Sequence, residues 1–109
     1  MPFTSSPSNV VKESYMACNA GDYSKAEGFL SADTKKLIHG DLGAMAGGIK
    51  HVCDEASKGG MIDSIDVKSE KIRGEGATVI ADIHFKDKSV KADDKSELVR
   101  ENGAWKLAQ

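Results

Sequence analysis

A chain of 109 residues, 39% hydrophobic and 29% charged, is long enough for one domain with a modest core and too apolar for a disordered segment. Fifteen Lys and Arg against seventeen Asp and Glu leave a formal net charge of −2. That balance speaks against nucleic acid and against an anionic membrane surface, where basic residues gather on one face.

No apolar run approaches the ~20 residues of a membrane-spanning helix. Met1-Pro2-Phe3-Thr4-Ser5-Ser6 also lacks the basic start and apolar stretch of a secretory signal. Residues 1–5 read as a tail outside the fold and 6–109 as a single domain. At face value the chain is cytosolic, but a domain that begins after a removed signal would look the same.

Ser6-Pro7 predicts a helix start, with Ser6 as N-cap and Pro7 at the first helical position. Val11, Tyr15 and Cys18 recur at the spacing of one buried helical face, and Asn19-Ala20-Gly21 ends the helix. Asp22 caps a short second helix with Tyr23, Ala26, Phe29 and Leu30 on its apolar side. After Ser31-Ala32-Asp33, residues Thr34–Ile38 read as a single further turn. A long helix is expected over Asp41–Ser57, with Leu42, Met45, Ile49, Val52, Cys53 and Ala56 apolar. It would carry Gly47-Gly48 in its middle, at a cost of roughly 2 kcal/mol against two alanines.

From Met61 the period changes towards two. Ile65 and Val67 alternate with Asp66 and Lys68. Val79, Ala81, Ile83 and Phe85 then share one face, and Thr78, Asp82, His84 and Lys86 the other. A third strand is expected over Ser96–Arg100 and a fourth over Ala104–Ala108. Asn102-Gly103 between them is a strong hairpin signal, because both residues tolerate positive φ. Gly74-Glu75-Gly76 and Asp87-Lys88 mark the other turns. The fold class is α+β: N-terminal helices packed on a four-stranded antiparallel meander.

Cys18 and Cys53 lack metal-ligand or CxxC spacing. They are either one disulfide of an oxidising compartment or two buried thiols.

The helix followed by Ala20-Gly21-Asp22-Tyr23-Ser24-Lys25-Ala26, with the closing Leu98-Val99-Arg100-Glu101-Asn102-Gly103-Ala104-Trp105-Lys106-Leu107, resembles the nuclear-transport-factor-two-like superfamily. Within it, the chain is most similar to a bacterial lipoprotein-associated family of unknown function once labelled lumazine-binding. The resemblance runs from about Ser6 to Ala108. It implies a curved sheet and a helical lid around a conical cavity, and an envelope or periplasmic location with a cytoplasmic alternative. A shared fold does not specify function, since the superfamily holds isomerases, dehydratases, carriers and interaction domains.

Inside such a cone, Tyr15 is the candidate hydrogen-bond donor, and the sequence offers it no partner acid or base. Asp82 and His84 fall on the outer face by strand parity. His39, Asp41 and His51 match no metal-ligand spacing. No nucleophile elbow or phosphate loop occurs, and neither cysteine has the setting of a reactive thiol. Lys86, Lys88, Lys91 and Lys95, interrupted by Asp87, Asp93 and Asp94, read as a solvated loop.

The expected function is therefore non-catalytic binding of a small molecule or protein, with no cofactor and no metal. A cone-fold enzyme acting on a small apolar substrate is the alternative. Tyr15, Phe29, Ile49, Ile65, Val79, Ile83 and Trp105 are the expected cavity lining, and the sheet is the surface for a homodimer. Among exported relatives, a Cys18–Cys53 bridge would be in keeping.

Overall fold

The structure is a computed structural model, and it describes residues 5–40 and 47–108. Among the described residues, four helices precede the sheet: α1 (Pro7–Asn19), α2 (Tyr23–Gly28), α3 (Ala32–His39) and α4 (Gly48–Ser57). Local chemistry sets their ends. The Ser6 side chain accepts the Asn9 N–H at 3.2 Å beside Pro7, and Asp22 accepts the Lys25 N–H at 3.3 Å. Gly21, at φ 75°, lets the chain turn out of α1.

Two expectations about the helices change. The single turn at Thr34–Ile38 is a helix over Ala32–His39, because Ser31 caps it through the Thr34 N–H and Glu101 accepts the Ala32 N–H at 3.2 Å. The described part of the long helix starts at Gly48, so Gly47-Gly48 opens it rather than interrupting it. Gly47 is the N-cap at φ 96°, and a Cβ there would lie 2.9 Å from Cβ of His51. Glycine is required at that backbone. Residues 41–46, with the expected apolar positions Leu42 and Met45, lie outside the described residues.

The strands β1 (Ile62–Arg73), β2 (Gly76–Phe85), β3 (Val90–Glu101) and β4 (Ala104–Leu107) form an antiparallel meander in the order β1-β2-β3-β4. Asn102 at φ 51° and Gly103 at φ 79° make the tight β3–β4 turn. β3 begins six residues earlier than the expected Ser96: the polar stretch from Val90 is strand, not solvated loop, because it pairs along β2. Bulges interrupt the register after Ile62 and Val67 in the β1–β2 pair and after Ala81 in the β2–β3 pair. At the last of these, Asp82 stands opposite both Ala92 and Asp93, the latter at φ 53°. Bulges of this kind bend a strand and raise its local twist.

The inner face carries the core. Val79, Ala81 and Ile83 are fully buried, and Val10 and Val11 of α1 pack against Val79, Leu98 and Trp105. Ile62, Ile83 and Phe85 form a second cluster, and Tyr15 packs against both. Cys18 and Cys53 join α1 to α4 as a disulfide, their Cα atoms 4.6 Å apart, beside Ala17 and Ala26. Among the described residues no helix is long and apolar enough to cross a membrane.

Candidate functional site

The helices do not seal the inner face. A cavity of about 360 Å³ remains between them and the last strands. Ser14, Tyr15 and Cys18 of α1 line one side, Ile49, Val52 and Ala56 of α4 another, and Leu37 and Ile38 of α3 a third. Ser96 of β3 and Leu107 of β4 contribute from the sheet. Leu37 is 74% exposed and Val52 45%, so apolar side chains stand open to solvent along this wall. A larger recess of about 440 Å³ lies over β1–β3, but Lys71, Arg73, Lys95 and Glu97 line it, with the charges of an ordinary solvated surface.

Helical spacing brings Ser14 and Cys18, one turn apart, to the same wall. Their polar capacity is already used: Ser14 Oγ donates to the Val11 carbonyl at 2.9 Å, and Cys18 is bridged. Thr34 Oγ1 donates to the Ala108 carbonyl at 3.1 Å. Ser96 differs. It is buried, and among the described residues its hydroxyl has no hydrogen-bond partner.

Tyr15 does have a partner, contrary to the expectation from sequence. Its hydroxyl donates to Asp94 Oδ2 at 2.6 Å, while Lys91 Nζ lies 2.8 Å from Asp94 Oδ1. Burial first, then the hydrogen bond and the charge of Asp94, hold the phenol well above its ordinary value of 10.0. Tyr15 is thus a neutral phenol whose proton is committed to a carboxylate. Both oxygens of Asp94 are engaged as well, so neither group is poised as a base.

Sequence reasoning missed Asp94 and Ser96. Extending parity back from buried Leu98 through Ser96 reaches Asp94, which was the available signal. Asp is depleted in strands, and Lys-Ala-Asp-Asp-Lys has the composition of a loop.

Of the expected lining residues, the structure places Tyr15 and Ile49 on the cavity wall. Val79, Ile83 and Trp105 lie in the packed core, with Phe29 and Ile65 half-buried against it. These side chains meet neighbours, because the cavity sits nearer the helices than the centre of the sheet. His39 pairs with Glu27, and His51 Nε2 lies 3.3 Å from Glu55 Oε1. Asp41 lies outside the described residues. Asp82 and His84 are on the outer face, as parity requires.

A solved Campylobacter jejuni structure described as an NTF2-like transpeptidase superposes with a TM-score of 0.73, covering 96% of this chain and 99% of its own at 15% identity. The fold is NTF2-like. A SEC-C motif containing protein from Rhodopseudomonas palustris is also similar, with a TM-score of 0.65 and 16% identity over 95% of this chain and 76% of its own. At such identities the likeness concerns the NTF2-like fold alone. No family model and no curated protein matches the chain.

Proposed function

We propose that this NTF2-like domain is a non-catalytic binder of a small, largely apolar molecule, held in the cavity between α1, α3, α4 and the last strands. The observation that carries this reading is the apolar cavity of about 360 Å³, whose one uncommitted hydroxyl is Ser96 among the described residues. That volume is within the roughly 300–1,000 Å³ of small-molecule sites, which pair apolar walls with a few polar groups. Ser96 would orient one polar atom of the ligand, and Ile49, Val52, Leu37 and Leu107 would cover its apolar body. The Cys18–Cys53 bridge supports an oxidising setting such as a bacterial envelope.

The alternative, an enzyme using Tyr15 as a hydrogen-bond donor, draws on the Tyr15–Asp94 pair. To act, Tyr15 would have to turn its proton from Asp94 to a substrate, leaving a buried carboxylate short of a donor. That cost favours binding.

The test is binding of 8-anilinonaphthalene-1-sulfonate, a dye with an apolar aromatic body and one sulfonate, to the folded full chain and to Ala56→Trp, which places an indole in the cavity. Dye enhancement in the parent and its loss in a folded Ala56→Trp variant are expected, with Asp82→Asn unchanged. Equal dye binding by the parent and Ala56→Trp would refute the assignment.

A further inference from the structure

The outer face of the sheet holds a second constellation, separated from the cavity by the thickness of the strands. Asp66 on β1 is the cross-strand partner of Asp82 on β2, and His84 follows two residues later on the same face. One potential ligand atom from each lies within 4.8 Å of the other two. Two carboxylates directly opposed across an antiparallel pair repel each other, which is an unfavourable arrangement when no cation lies between them. Among the described residues the side chains of Asp66 and His84 make no hydrogen bond and no close ion pair, and Asp66 feels only the charge of Lys68. Asp82 is held in place instead: its Oδ1 accepts the Asp93 N–H at 2.9 Å, from the bulge in β3. Its other oxygen remains available.

Lys68 is the neighbouring cation, and its charge, which acts on Asp82 and more weakly on Asp66, offsets the repulsion only in part. Its Nζ lies 2.8 Å from Asp93 Oδ1 and 3.9 Å from Asp82 Oδ1, so its close contact is with Asp93. The histidine makes this more than an acidic patch. One imidazole nitrogen and two carboxylate oxygens, carried on two rigid strands and open to water on one side, suit a divalent ion of the manganese-to-zinc series. Magnesium and calcium prefer an all-oxygen shell.

We propose that Asp66, Asp82 and His84 form a divalent transition-metal site on the outer face of the sheet, with water completing the coordination. The site departs from the metal-free expectation drawn from sequence, which placed Asp82 and His84 on this face but did not bring Asp66 to them. It is independent of the cavity.

The full chain, freed of metal and with its disulfide intact, is titrated with zinc chloride by calorimetry. One saturable site is expected, weakened about tenfold or more in His84→Ala and in Asp66→Asn. Lys68→Gln should bind zinc more tightly, because a competing positive charge is gone. His39→Ala and His51→Ala should bind as the parent does. Manganese added to the unmodified, isotope-labelled chain should broaden the backbone amide signals around Asp66, Asp82 and His84 first, a readout that needs no variant to fold. Zinc affinity unchanged in His84→Ala and Asp66→Asn, or broadening centred on His39 or His51, would overturn the proposal. So would the absence of saturable binding to the parent.

Discussion

Replacing Tyr15 by Phe removes one oxygen and leaves the ring packed against both core clusters. The lost contact is a 2.6 Å hydrogen bond to Asp94, a carboxylate whose residue is only 9% exposed. Hydrogen bonds to charged groups contribute about 1.5–3 kcal/mol, and the upper part of that range applies when the remaining partner stays buried. Asp94 keeps Lys91 at 2.8 Å, which moderates the loss. The expected cost is therefore about 2 kcal/mol, read as a lower urea midpoint at unchanged slope.

The pH dependence gives a second readout of the same pair. The folded phenol is raised above its unfolded value of 10.0, so the folded state holds its proton more tightly. The stability this contributes is fully present below pH ~10 and is lost as pH rises from there towards the folded value. The parent should thus lose stability above pH ~10 more steeply than Tyr15→Phe. Absorbance titration of the folded parent should show one of its two phenols, Tyr15, ionising late. A loss below about 0.5 kcal/mol, with parallel alkaline profiles in the two proteins, would show that the Tyr15–Asp94 bond does not form.

Two further outcomes bear on the fold. Trp105→Ala should cost about 3–5 kcal/mol in urea melts, since the ring is 4% exposed and lies under the Arg100 guanidinium, 4.5 Å from its centroid; a loss below about 1 kcal/mol would place Trp105 outside the core. The natively isolated chain, unfolded and alkylated without reductant, should gain no label at Cys18 or Cys53. Reduction should then lower stability by about 3–4 kcal/mol, the chain-entropy value for a separation of 35 residues. Two labelled cysteines in the unreduced chain would rule out the bridge and remove the support it lends to an envelope location.

The sequence by itself determined what short-range chemistry controls. Ser6-Pro7 and Asp22 start helices because a capping oxygen or a fixed φ acts within one turn. Asn102-Gly103 closes a hairpin because its two residues supply the positive φ that the turn needs. The alternation from Val79 to Phe85 assigned Asp82 and His84 to the outer face without knowledge of any partner. Tertiary structure alone decided what depends on residues far apart in the chain. Tyr15 and Asp94 are 79 positions apart, and their meeting depends on how α1 lies across β3. Asp94 turns inward within a polar stretch that becomes strand only by pairing with β2, past a bulge that no local preference announces. Asp66 reaches Asp82 and His84 through a cross-strand register with bulges of its own. Side-chain parity is a property of one strand, whereas register and helix placement are set by the packing of the whole domain.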